Sequence, residues 1–323
     1  MRVTVCEKLI VKNPDASLLK WCKKNLILDN PDYYKKEHLG KWTGNIPKTI
    51  SLYEKIGDEV AIPFGCIQEL WKMYGKNVEW DIQISPLRAP KYESSINLYP
   101  YQEKAVERIV TRKNGILVAP CGSGKTNMGI EIIARIGGRA LWLTHTQDLL
   151  TQSKKRAESV LTQGGYGTIT DGKVDIGETI TFATVQTLSK IDLSAYRDYW
   201  DVIVCDECHH CAGSPTRVTQ FYKIMSSLSA RYKIGLTATP HRADGLEKSM
   251  YALLGNIVHE VSREEVEHAT CKVIVHQIPT DWMPKEESDI LDYDGTINYT
   301  KVIDALTHDA NRFMKILEPT EEL

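Results

Sequence analysis

An α/β fold, with a mostly parallel sheet covered by helices on both faces, is predicted by three features of the chain. From residue 98 onward, short β-branched or apolar runs alternate with longer amphipathic stretches, and turn residues separate them. Nowhere is there a run of about 18 apolar residues of the kind that spans a membrane. In a sheet of this kind ligands sit beyond the carboxyl ends of the strands.

The elements follow in order. A strand over 115–119 (GILVA) leads into a helix over 125–136, and a strand over 140–144 (ALWLT) into a helix over 148–161. The run 179–184 (TITFAT) is followed by a polar connector, and 201–205 (DVIVC) by a helix over 216–228. A strand over 232–237 and a helix over 244–254 form another pair. Residues 1–95 read differently, with more lysine and aromatic residues and short strand-like pieces at 49–53 and 59–63, as expected of a small α+β domain. Residues 85–95, with two prolines and few apolar anchors, suit a linker. Past residue 257 come a strand-like run at 272–278, an acidic loop, and a helix with Val302, Leu306, Ala310, Phe313 and Leu317 on one face. The expected division is 1–95, 96–270 and 271–323.

With 42% hydrophobic and 25% charged residues among 323, the composition is that of a soluble globular protein. The N-terminus lacks a basic segment followed by an apolar core, so a cytoplasmic location without membrane contact is expected, and the eight cysteines are expected to be reduced. A net charge of −2 exerts no global pull on polyanions, so any nucleic-acid binding must rest on local geometry.

Residues 119–126 (APCGSGKT) sit between a predicted strand and a predicted helix. Gly122 and Gly124 leave the loop that Pro120 opens free of side chains, so backbone N–H groups of Cys121, Gly122, Ser123, Gly124 and beyond can point at phosphate oxygens near the helix N-terminus. Lys125 is then placed for the β and γ phosphates of ATP, and the Thr126 hydroxyl for Mg²⁺. Ala119 replaces the first glycine of the general pattern at a position that ends a strand. The plain alternative is a glycine-rich turn that binds nothing.

Asp206 and Glu207 end another apolar run, on the edge where the phosphate loop of a neighbouring strand also opens. Phosphoryl transfer needs a carboxylate for Mg²⁺ and a group that orients or deprotonates water; Asp206 suits the first role and Glu207 the second. Solvated acids at a strand end are the alternative. A third reading comes from Cys205, Cys208 and Cys211, which with His209 or His210 have spacing compatible with a zinc site or part of an iron–sulfur pattern.

Taken together these residues resemble superfamily 2 helicases, whose first motor domain is a RecA-like P-loop fold; the resemblance covers residues 96 to about 280. Asp206-Glu207-Cys208-His209 is similar to that family's Asp-Glu-x-His box. The segment 98–102 (LYPYQ) resembles the adenine-recognising segment, which implies a base contact for Gln102. The segments 143–149 and 181–188 resemble strand-binding motifs, implying nucleic-acid contacts for Thr144, His145, Gln147, Thr184 and Gln186. Thr237 and Thr239 resemble the motif that couples nucleotide state to domain movement, with His209 as the link. The strings 167–173 and 235–245 are similar to the XPB-like, DNA-acting branch, and residues 1–95 resemble accessory domains of phage and bacterial members, with Lys35, Lys36, Lys41 and Trp42 as candidate contacts.

The resemblance implies an ATP-dependent DNA helicase or duplex translocase. A motor subunit of a restriction or defence complex, an RNA helicase, and a nucleotide-responsive binding module without useful turnover are the alternatives. Residues 272–317 resemble only the start of a second motor domain. On that basis the chain is expected to bind ATP·Mg²⁺, hydrolyse it slowly and not unwind alone. Arg242, the arginine that follows the Thr237–Thr239 motif, is not assigned the role of the arginines the second domain supplies.

Overall fold

Successive apolar residues of each central strand point to opposite faces of the sheet, which layers the molecule. The computed structural model describes residues 1–321 apart from 89, 213, 241–244, 268–276, 278, 281 and 294. Its main sheet has eight strands, here β1 (Asn114–Val118), β2 (Ala140–Thr144), β3 (Gly167–Thr170), β4 (Lys173–Asp175), β5 (Ile180–Thr184), β6 (Val202–Cys205), β7 (Tyr232–Thr237) and β8 (Ile257–Glu260). Their order is β4-β3-β5-β2-β6-β7-β1-β8, and every pairing is parallel except β3 with β4. The antiparallel pair is a small hairpin closed at Asp171 and Gly172, both at positive φ (51° and 76°).

Leu117, Trp142, Phe182 and Val204 project to one face, against α1 (Pro100–Arg112), α2 (Lys125–Ile136) and α3 (Gln147–Val160). Ile116, Leu141, Ala183 and Ile203 project to the other, against α4 (Val185–Leu188), α5 (Pro215–Met225) and α6 (Glu247–Leu254). Strands buried on both faces explain why the runs read as continuously apolar. The predicted helix 244–254 begins three residues later at Glu247, and the connector after β5 contains the short helix α4.

The N-terminal segment forms a five-stranded sheet from Arg2–Val5, Lys8–Lys12, Glu54–Ile56, Glu59–Pro63 and Glu79–Ile82. Its core is shared with the main sheet's helices. Val3, Leu9, Ile62, Phe64 and Leu70 pack with Ala212, Val218, Leu246 and Ala252, so residues 1–270 form one compact unit. At Gly65 the approach is closest: a Cβ there would lie 2.5 Å from the Ala252 carbonyl oxygen. No side chain fits at that contact.

The stretch 85–95, read as a linker, is a strap tied to the main sheet. Tyr92 is buried and its hydroxyl donates to the Gly138 carbonyl at 2.8 Å, Arg88 pairs with Asp201 at 3.4 Å, and the Ser95 N–H donates to Val160 O at 2.9 Å. Prolines and scarce apolar residues signal a segment without regular structure. They do not reveal that its polar groups are satisfied by a neighbour.

Lys233, on β7, is fully buried. Its Nζ donates to Met225 O at 2.7 Å and to Glu7 O at 3.1 Å, and it lies 4.9 Å from the Phe64 ring centroid. Burial pushes the ammonium down to about 7 despite the Glu7 carboxylate nearby. Between about pH 7 and the unfolded value near 10.4, the unfolded chain holds this proton and the folded chain does not, so this group's contribution to stability rises with pH across that window. Raising the pH from about 6.5 to 9 is expected to stabilise the chain through Lys233 by on the order of 2 kcal/mol. In urea unfolding at both pH values, Lys233→Met should show a rise smaller by that amount; an equal rise in both proteins would refute the assignment.

Residues 271–323 form a second unit. The single helix read from the sequence is two helices, Tyr299–Thr307 and Ala310–Glu321, broken at His308 and Asp309. Asp309 Oδ1 accepts from the Arg312 N–H at 2.7 Å, a local hydrogen bond that starts a new helix and competes with continuing the old one. The strand expected at 272–278 lies, apart from Gln277, outside the described residues. Among the described residues no helix is long and apolar enough to cross a membrane.

Candidate nucleotide and nucleic-acid site

Because β1, β6 and β7 are parallel, the loops at their carboxyl ends converge on one edge of the sheet. The strands carrying the phosphate loop and the acid pair are not adjacent, as the sequence reading had them; β7 runs between them. The groups still meet because β7 contributes its own small residues, Thr237 and Thr239, to the same edge.

In the loop after β1, Gly122 and Gly124 have φ of 78° and 81°, values that only glycine adopts without strain. A Cβ on Gly124 would stand 2.5 Å from Gln102 Nε2. Gln102 is 4% exposed, and its carboxamide joins α1 to this loop: Nε2 donates to Ser123 O at 2.7 Å, and Oε1 accepts from the Tyr99 N–H at 3.0 Å. The Tyr101 hydroxyl donates to the same Ser123 carbonyl at 3.0 Å. Gln102 therefore braces the loop, a role the sequence did not indicate. Ser123 Oγ is buried without a partner, Cys121 is exposed and Thr126 is half-buried at the first turn of α2.

Lys125 is 9% exposed, with Nζ 3.4 Å from Ala119 O and 3.5 Å from Glu207 Oε1. Asp206 is buried at the end of β6, its N–H donating to Leu143 O at 2.9 Å. Burial and then the neighbouring Glu207 push its carboxyl up to about 6. Glu207 has φ +47°, a left-handed conformation that costs an ordinary residue roughly 1–2 kcal/mol. Its N–H donates to Asp206 Oδ1 at 3.0 Å, and its carbonyl accepts from the His210 N–H at 2.9 Å, so the turn is held from both sides. The turn aims the Glu207 carboxylate at Lys125. A hydrogen bond from His209, then Lys125, keep that carboxyl below its usual range against the cost of burial.

His209 Nδ1 lies 3.3 Å from Glu207 Oε2 and 2.9 Å from Thr237 Oγ1, which in turn accepts from the Thr239 N–H at 3.1 Å. Lys125, Glu207, His209, Thr237 and Thr239 are thus one connected cluster. Of the expected nucleic-acid residues, Thr144 and Thr184 are buried, and their hydroxyls bond within their own turns, to Thr146 O at 3.0 Å and Thr187 Oγ1 at 3.1 Å. Gln147 is exposed at the start of α3, and Gln186 Nε2 donates to His145 O at 2.8 Å. On the N-terminal sheet's side, Lys35 and Lys36 are exposed and Trp42 is 85% exposed. Arg242 lies outside the described residues.

The metal reading of the cysteines is corrected by the 3₁₀ turn over Cys208–Ala212. Three residues per turn put Cys208 and Cys211 on one side, buried, and His209 and His210 on the other. Cys208 Sγ contacts Met250 Sδ at 3.5 Å, and burial holds the Cys208 and Cys211 thiols far above their usual range, whereas a metal site needs thiolates. Among the described residues no group of three or more His, Cys, Asp or Glu is arranged to hold a metal ion.

Residues 95–242 match the family described as Type III restriction enzyme, res subunit. A DNA 3'-5' translocase XPB2 from Sulfurisphaera tokodaii is 33% identical over 186 residues, covering 57% of this chain and 40% of that protein. A DNA 3'-5' helicase XPB from Kineococcus radiotolerans is 30% identical over 182 residues, covering 53% of this chain and 31% of that protein. Over somewhat more than half of its length the chain is similar to these XPB proteins. It spans well under half the length of these two relatives. Among solved structures, the UvsW helicase from bacteriophage T4 has the same fold, with a TM-score of 0.55 and 17% identity over 80% of this chain and 99% of that one.

Within residues 95–242, sequence reasoning missed Tyr101 and left His210 as a spare metal ligand. The His210 ring lies against that of His145, with 3.6 Å between centroids and 30° between planes, and against that of His209, at 4.1 Å and 37°. The adjacent histidines after two acids were the available signal, masked by the cysteines around them.

Proposed function

We propose that this motor couples ATP hydrolysis to movement on DNA, as the first motor domain of a helicase or duplex translocase. The observation that carries the reading is the meeting of Lys125 Nζ and Glu207 Oε1 at 3.5 Å beside a loop whose Gly122 and Gly124 are both at positive φ. Such a loop turns backbone N–H groups inward, and the N-terminus of α2 adds partial positive charge, which suits the phosphates of ATP. The fit is supported by the partnerless Ser123 hydroxyl within the loop and by the half-buried Thr126. Thr126 and Asp206 are the residues that would hold Mg²⁺, which when bound offsets phosphate charge. A carboxyl raised to about 6 is one that a nearby cation would favour in its charged form. Lys125 binds the phosphates, Glu207 orients and deprotonates water, and His209 relays the state of Glu207 to Thr237 and Thr239.

His145, Gln147, Thr184 and Gln186 mark the loops proposed to face nucleic acid, with Thr144 shaping its loop from beneath. Residues 1–95 are proposed as an accessory domain, with Lys35, Lys36, Lys41 and Trp42 as further contacts, 96–270 as the motor, and 271–323 as the start of a second RecA-like domain. The names of the relatives favour DNA over RNA. The res-subunit description of the matching family favours, as a second reading, a motor that serves a restriction complex.

The test is Mg²⁺-dependent ATP hydrolysis by the purified chain alone and with duplex DNA, single-stranded DNA or RNA. Hydrolysis stimulated several-fold by DNA, more than by RNA, is expected. Stimulation by RNA only, or by none of the three, would overturn the DNA-motor reading.

A further inference from the structure

We propose that His210 is a positioning residue that ties the strand-facing loops to the conformation of Glu207. The inference rests on the motor reading above.

β2 and β6 are paired in parallel, with Cys205 opposite Leu143, so the turns that follow them emerge side by side. His145 leaves the first turn and His210 the second, and their rings are in contact, 3.6 Å between centroids with 30° between planes. On one side, His145 is held by Gln186, in the α4 turn that follows β5, whose Nε2 donates to the His145 carbonyl at 2.8 Å. On the other, the His210 ring lies 4.1 Å from that of His209, and the His210 N–H donates to Glu207 O at 2.9 Å. Three loops from three strands are thereby joined to one backbone carbonyl.

That carbonyl belongs to the residue with something to switch. Glu207 sits at φ +47°, and for a residue with a side chain the right-handed and extended regions are lower in energy. Relaxation there would redirect the carboxylate now 3.5 Å from Lys125. The Glu207 turn is therefore an element with two arrangements, and His210 biases it through a backbone hydrogen bond while its ring is gripped by His145. Coupling between sites requires such a two-state element, not proximity alone. A nucleic acid that shifts the β2 and β5 loops changes the grip on His210, and the change reaches Glu207 without crossing the nucleotide.

The experiment uses the full chain and measures ATP KM and kcat with and without saturating duplex DNA. His210→Ala is expected to lower the DNA-stimulated kcat about tenfold, within the usual span of coupling effects, while KM for ATP and the unstimulated rate change less than about twofold. His210→Phe, which keeps a flat ring against His145, should restore most of the stimulation. If His210→Ala lowers the thermal midpoint markedly, His210→Asn, without a ring but planar and polar, takes its place. Full stimulation in the ring-deleted variant, or equal loss of stimulated and unstimulated rates, overturns the proposal. Unaltered protein that responds to neither DNA nor RNA overturns the motor reading, and this inference with it.

Discussion

Lys125→Ala is expected to abolish measurable ATP hydrolysis and to weaken nucleotide binding, with a loss in rate of at least about 10²–10³, the usual effect of removing one preorganised donor from a phosphoryl-type site. The side chain is 9% exposed, so its ammonium is directed by the protein rather than by water. Its two close oxygens, Ala119 O at 3.4 Å and Glu207 Oε1 at 3.5 Å, leave donor capacity for a phosphate. Lys125→Arg should not rescue the activity, because a planar guanidinium cannot occupy the space of a point charge beneath this loop. Calorimetric titration with a non-hydrolysable ATP analogue, alongside hydrolysis assays, checks both parts. Undiminished turnover would remove Lys125 from the site.

Glu207→Gln is expected to separate binding from chemistry. Nucleotide affinity should stay within a few-fold of the unaltered chain, while kcat falls about 10²–10⁴-fold, the range supplied by a positioned acid or base. An amide of the same shape tolerates the turn, because the hydrogen bonds that hold it, from the Glu207 N–H to Asp206 and from the His210 N–H to Glu207 O, are made by the backbone of residue 207. It loses the charge that pairs with Lys125 and with His209, and with it the ability to accept a proton. Pre-steady-state measurement of bound nucleotide against product separates the two effects. A variant that binds poorly but turns over normally what it binds would reverse the assignment.

How far the sequence could be read depended on whether a feature was local. Strands β1, β2, β5, β6 and β7 were legible because each carries its own burial pattern; β2, β7 and α2 fall on the expected residues. The phosphate loop was legible because strand, glycines, lysine and helix are contiguous. The break at His308 and Asp309 was missed because the apolar stripe passes through it, while a single capping carboxylate decides it. The Lys173–Asp175 strand was missed because its three exposed residues, paired to β3 across an Asp-Gly turn, carry no apolar alternation.

By itself, then, the sequence determined the α/β alternation, the phosphate loop and the acid pair, since each is specified by residues within one turn or one element. Only the tertiary structure decided the rest. β7 lies between the phosphate-loop and acid strands because sheet order depends on crossovers that no local pattern encodes. Burial of Cys208 and Cys211 and the contact of His210 with His145 follow from which side of a 3₁₀ turn meets a helix. Glu7, Phe64 and Lys233, far apart in the chain, form one contact because two sheets share a core.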